Sequence, residues 1–150
     1  MASNREKAKG RRSGKPFLRL PRDVIASQEF ADLSGNAVKL LVNLGAQYRG
    51  NNNGDLTTAW SIMKKCGWKS KDTLYTAIYE VEEYGFIIRT KQGGMNIGPN
   101  LFALSWEPID ECGGKLDIRS TRTAPNTWKN NSQVRDPYQT STNIVPMRKK

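Results

Sequence analysis

Four lysines, Lys64, Lys65, Lys69 and Lys71, fall within eight residues and adjoin the hydroxyl-bearing Ser70, Thr73, Thr76 and Tyr79. Ammonium groups hold phosphate oxygens as compact point charges, and polar side chains three or four residues apart on a helix can reach base edges in a groove. Two more cations, Arg89 and Lys91, stand just before Gly93-Gly94. A backbone without side chains can come close to a phosphate or a minor groove there. The chemistry these residue types support is the capture of a polyanion, with some reading of its bases.

Covalent chemistry is poorly provided for. The chain has no histidine, and general acid-base work draws mainly on histidine or on carboxylates paired in a pocket. Asp110 and Glu111 are adjacent and would point in different directions. Gly113-Gly114-Lys115 lacks the upstream Gly and the following Ser or Thr of a phosphate-binding loop, so it reads as a turn. The two cysteines, Cys66 and Cys112, lie far apart and neither belongs to a Cys-x-x-Cys pair. Without histidine a zinc site is not expected. Cys66 reads as a small buried hydrophobe. The expectation is a protein that is not an enzyme, with no cofactor, no metal and no small-molecule substrate, in reducing cytoplasm. No apolar run approaches the roughly 20 residues of a membrane span. The N-terminal charges are followed by no apolar h-region of a secretory signal, so no membrane partner is expected and the Asn130-Asn131-Ser132 sequon carries no meaning.

The formal net charge is +10 over 150 residues, and its placement matters more than its size. Residues 1–16 hold six basic side chains and one acidic, net +5. Residues 114–150 hold eight basic and two acidic, net +6, and the middle, 17–113, ten basic and eleven acidic, net −1. The excess therefore belongs to two polar segments too poor in apolar residues to fold alone. Such tails can merely keep a small protein soluble, and they also form basic arms for phosphate binding.

The elements that must position the polyanion chemistry lie in the middle. Residues 1–16 read as a disordered basic arm, 17–112 as one domain, and 113–150 as a basic, largely extended or disordered tail, onto which Leu116, Ile118 and Trp128 could tack. Phe17 to Leu20 alternates like a short edge strand before Pro21. Short helical turns follow over Asp23–Ser27 and Glu29–Leu33. Ser34 caps a helix from Gly35 to about Tyr48, with Ala37, Leu40, Leu41, Leu44 and Tyr48 on one face. Residues 49–54 form a loop, Asp55-Leu56 adds a minimal strand, and Thr57 caps the next helix. Ala59, Ile62, Met63 and Cys66 give that helix its apolar stripe. Gly67 ends it in the left-handed conformation, and Ser70 caps a second helix with Leu74, Ala77, Ile78 and Val81 inward. Asp72, Thr76, Tyr79 and Glu83 then point outward, while Glu80, Glu82 and Glu83 crowd the far end and would repel a phosphate backbone. Residues 86–90 and 101–106 are rich in strand formers and form a hairpin around a Gly-rich turn.

The stretch from Phe17 to Trp106, about 60 per cent of the chain, resembles the winged helix-turn-helix DNA-binding domains of bacterial phage and plasmid proteins, including replication initiators and small regulators of mobile elements. The likeness rests on Ser34-Gly35-Asn36-Ala37-Val38-Lys39-Leu40-Leu41, on Ser70-Lys71-Asp72-Thr73-Leu74 and on Tyr84-Gly85-Phe86-Ile87. It implies an α+β fold, a three-helix core with a two- to three-stranded β-wing. It also implies double-stranded DNA as partner, with helix 70–84 in the major groove, in transcription regulation or DNA replication. Thr73, Thr76 and Tyr79 would meet base edges, Lys64, Lys65, Lys69, Ser70 and Lys71 the backbone, and Arg89 and Lys91 would act from the wing. One such domain reads few base pairs, so a homodimer or repeated sites are expected. Two other readings stay open: a protein-interaction or adaptor module using Tyr75 and Tyr79, and an RNA or single-strand binder driven by the basic arms.

Overall fold

Ser34 and Ser70 each place a hydroxyl oxygen where the first free N–H groups of a helix need an acceptor. Ser34 Oγ accepts from the Ala37 N–H at 3.2 Å and Ser70 Oγ from the Thr73 N–H at 3.3 Å. A computed structural model describes residues 15–129, and these caps open the two long helices among them. Almost all of the expected basic arm and the tail from residue 130 onward lie outside the described residues.

Two single-turn helices, α1 (Arg22–Ile25) and α2 (Gln28–Ala31), precede the long α3 (Gly35–Gln47). Strand β1 (Leu56–Thr57), helix α4 (Trp60–Met63) and the long α5 (Lys71–Glu83) follow, then strands β2 (Ile87–Lys91) and β3 (Leu101–Leu104). The fold is α+β, with one antiparallel sheet in the order β1-β3-β2. Ala37, Leu40, Leu41 and Leu44 of α3 face Leu74, Ala77, Ile78 and Val81 of α5 across a core that also holds Leu56, Met63, Phe86 and Phe102. Burying one such aliphatic or aromatic side chain stabilises by about 1.5–3 kcal/mol. Glu80 of α5 adds a polar fastening, accepting at 2.7 Å from both the backbone N–H and the hydroxyl of Ser34.

Three local expectations are corrected. Phe17 to Leu20 forms no strand; Leu18 lies against Gly45 of α3, and the Arg19 carbonyl accepts the Trp106 indole N–H at 3.2 Å. With no strand beside it, alternation has nothing to pair with. Ile62 is 41% exposed, because α4 lasts four residues and tightens into a 3-10 turn over Lys64–Cys66. That tighter winding turns Met63 inward, leaves Cys66 half-buried and swings Ile62 out. Thr57 sits in β1 rather than at the helix cap, a place taken by Ala59, whose N–H bonds Thr57 Oγ1 at 3.1 Å. The glutamates at the far end of α5 are partly engaged within the protein, Glu80 as above and Glu82 with Arg89.

Residues 113–129, expected as the start of a largely extended or disordered tail, run as irregular chain across the body. Trp128 is buried and stacks on Phe86, with centroids 6.0 Å apart and planes 15° apart. Thr127 Oγ1 donates to the Gly85 carbonyl at 2.6 Å, and the Asn126 N–H to that of Ser105 at 2.7 Å. Leu116 reaches Gly54, whereas Ile118 stays exposed. Among the described residues, no helix is long and apolar enough to cross a membrane.

Candidate nucleic-acid interface

The link between α4 and α5 decides what α5 can present. Gly67 takes φ 92°, the left-handed conformation that ends the 3-10 turn, and its N–H bonds the Lys64 carbonyl at 3.3 Å. Trp68 then drops into the core with its indole N–H on Asn43 Oδ1 at 2.8 Å. That anchor leaves Lys69 and Ser70 exposed on either side of the bend into α5.

On α5 the inward stripe forces the rest outward. Asp72, Thr73, Tyr75, Thr76, Tyr79 and Glu83 are exposed, Tyr75 by 59% and Tyr79 by 70%. Lys64, Lys65, Lys69 and Lys71 are exposed around the helix start. Lys71 Nζ stands 6.0 Å from the Trp60 ring centroid. Lys39 was not singled out from the sequence. It extends from α3 to within 5.1 Å of the Trp68 ring centroid, bringing a fifth ammonium to the bend. Its position off the inward face of α3 was the available signal. Among the described residues, none of Lys39, Lys64, Lys65 and Lys69 forms an ion pair. Cations and free backbone N–H groups thus gather at one end of α5, an arrangement that suits an anionic oxygen.

The other end differs. Tyr75, Thr76, Tyr79, Glu80, Glu83 and Tyr84 line an open depression of about 590 Å³. Arg89 and Lys91 belong to β2 and lie below the hairpin tip. The Arg89 guanidinium bonds both Glu82 oxygens, at 3.0 and 3.2 Å, and covers the Phe102 ring at 5.3 Å. Ser70, Lys71, Thr73 and Thr76 thus stand at the cap and in the first half of α5 and Tyr79 one turn further on, while Lys69 precedes the cap and Lys64 and Lys65 lie on the 3-10 turn before the bend. Arg89 is drawn instead toward the acidic end. Compared with known protein families, with curated proteins and with solved structures, the chain matches none.

Proposed function

We propose that this is a winged helix-turn-helix protein that binds double-stranded DNA, inserting α5 N-terminus first into a major groove about 12 Å wide. The observation that carries the reading is the pairing of an exposed polar face, Thr73, Thr76 and Tyr79, with exposed lysines at the start of the same helix and on the turn that leads into it. Thr73, Thr76 and Tyr79 meet base edges, and Lys64, Lys65, Lys69, Ser70 and Lys71 hold the backbone. The element order and the β1-β3-β2 sheet fit a winged helix, with β2, β3 and their connection as the wing. The biological setting we assign is a regulator or replication initiator of the mobile-element kind. A second reading, a protein-interaction module, is favoured by the depression beside Tyr75 and Tyr79.

Selection of duplexes from a random pool, followed by binding measured against salt, tests the proposal. The full-length protein should recover a preferred sequence and keep its preference over random duplex as salt rises. Thr76→Ala with Tyr79→Ala should relax base preference by about 1–3 kcal/mol per lost contact, and Lys69→Ala should weaken all sequences alike. Steep salt dependence without preference would instead assign binding to the basic arms. Absence of duplex binding, with a protein partner lost on changing Tyr75 and Tyr79, would favour the interaction module.

A further inference from the structure

The far end of α5 combines two carboxylates with three phenol rings. Glu80, Glu83, Tyr75, Tyr79 and Tyr84 share the open depression described above, with Thr76 beside them. None of the six lining side chains is basic. Both glutamates fall in the last turn of α5, where the helix dipole adds further negative charge. Carboxylates next to the faces of aromatic rings select a cation, and a guanidinium above all, because its flat face stacks while its N–H groups reach the oxygens.

The chain supplies such a cation from close by. Gly85, directly after Tyr84, lies so near residues 127 and 128 that a Cβ on it would stand 2.7 Å from the Thr127 carbonyl oxygen and 2.8 Å from the Trp128 nitrogen. The hydrogen bond from Thr127 Oγ1 to the Gly85 carbonyl and the stacking of Trp128 on Phe86 hold this crossing in place. The described chain therefore ends, at Lys129, two residues after a point in contact with the rim of the depression. Lys129 is itself drawn to Asp23, with Nζ 4.0 Å from Oδ2. The next cation along the chain is Arg135. Six extended residues span at most about 20 Å, which equals the length of the 13-residue α5 at about 1.5 Å per residue. Residues 130–150 carry four basic side chains, Arg135, Arg148, Lys149 and Lys150, against the single acidic Asp136. The basic N-terminal segment joins the body elsewhere, where Leu18 lies against Gly45 of α3.

We propose that residues 130–150 turn back over α5 and seat Arg135 in this depression, between the carboxylates of Glu80 and Glu83 and the phenol rings. A tethered segment meets its site at an effective concentration on the order of millimolar, so a contact too weak to hold a separate partner is still occupied. The docking itself does not depend on duplex binding. Its consequence does: a seated segment covers Tyr79, and phosphates compete for Arg135, so segment and duplex exclude one another on this face of α5.

The test uses the full-length protein with p-benzoylphenylalanine in place of Tyr75, whose exposed ring lines the depression, after circular dichroism has matched the labelled protein to wild type. Irradiation of the dilute protein should join the probe to residues 130–150 of the same molecule, as mass spectrometry of the digest reads directly. Arg135→Gln should lower that yield about fivefold. Arg135→Lys should lower it less, since charge is kept and the flat face is lost, and added salt should lower it in wild type. Cross-links to the N-terminal segment, to a second copy or to no part of residues 130–150 would overturn the docking, as would an equal yield from Arg135→Gln. A bound duplex should suppress the cross-link, and a yield indifferent to it would overturn the exclusion at Tyr79. Failure of the protein to bind any duplex removes the duplex reading and leaves the cross-link to decide the docking alone.

Discussion

Thr76 uses its hydroxyl proton inside its own helix, donating to the Asp72 carbonyl at 2.9 Å. What remains outward is a methyl group and oxygen lone pairs, suited to a thymine methyl or to the amino group of adenine or cytosine. Tyr79 keeps its phenolic proton for outside use and complements it. Cys112 shows the opposite kind of residue. Burial, reinforced by the charges of Asp55 and Asp110 and opposed by Lys115, raises its thiol above the ordinary range. Its Sγ donates weakly to the Asn53 carbonyl at 3.8 Å. A raised thiol value means that its contribution to stability is complete below the unfolded value of about 8.5 and is lost as pH climbs through the folded one. In a Cys66→Ser background, alkylation of Cys112 should therefore have a pH midpoint above that of free cysteine. A midpoint at or below it would contradict this account. Asn53 was legible only as part of a polar loop. In the fold its side chain accepts from the Leu104 N–H and donates to the carbonyls of Leu104, Glu107 and Pro108. Partners about 50 residues away leave no local signature in a loop.

At the level of elements, what the residue pattern carried well was the periodic. The stripes of α3 and α5, both serine caps and the left-handed glycine between α4 and α5 are local features, each set within a turn or two. The link between α3 and α5 was not legible, because Glu80 and Ser34 are 46 positions apart. Glu80, one of the glutamates crowding the far end of α5, has its carboxylate at the positive end of the α3 dipole and takes two hydrogen bonds there. Glu80→Ala should lower the unfolding free energy by about 1–2 kcal/mol, seen as a lower denaturant midpoint with unchanged slope. Ser34→Ala in the same background should then cost less than it does alone, since the two share the bond. Additive losses would show that the contact carries little. In α4 the apolar spacing alone did not distinguish a continuous helix from a four-residue one that tightens into a 3-10 turn.

For the whole molecule, charge and core are segregated along the chain. Nearly all of the net charge sits in the terminal segments, beyond a middle that is close to neutral. Residues 1–14 and 130–150 carry nine of the 24 basic side chains. Removing both segments should flatten the slope of log affinity against log salt by up to about eight, at roughly 0.9 per phosphate contact. The preference of α5 for its own site should survive the truncation. Loss of preference together with slope would place base reading in the termini. The cut must spare Trp128, because the core closes over its ring against Phe86.

The guanidinium of Arg89 ties the hairpin to α5 through Glu82 while its flat face rests on Phe102. That clasp joins the base of the hairpin to the C-terminal half of α5 and limits how far the two can part, as the hinge of a caliper limits its jaws. On a duplex, the step touched by the hairpin would then stand at a constant offset from the bases under the helix. One base pair more or less between them, a shift of about 3.4 Å along the axis, would leave the two jaws unable to close on the same molecule together.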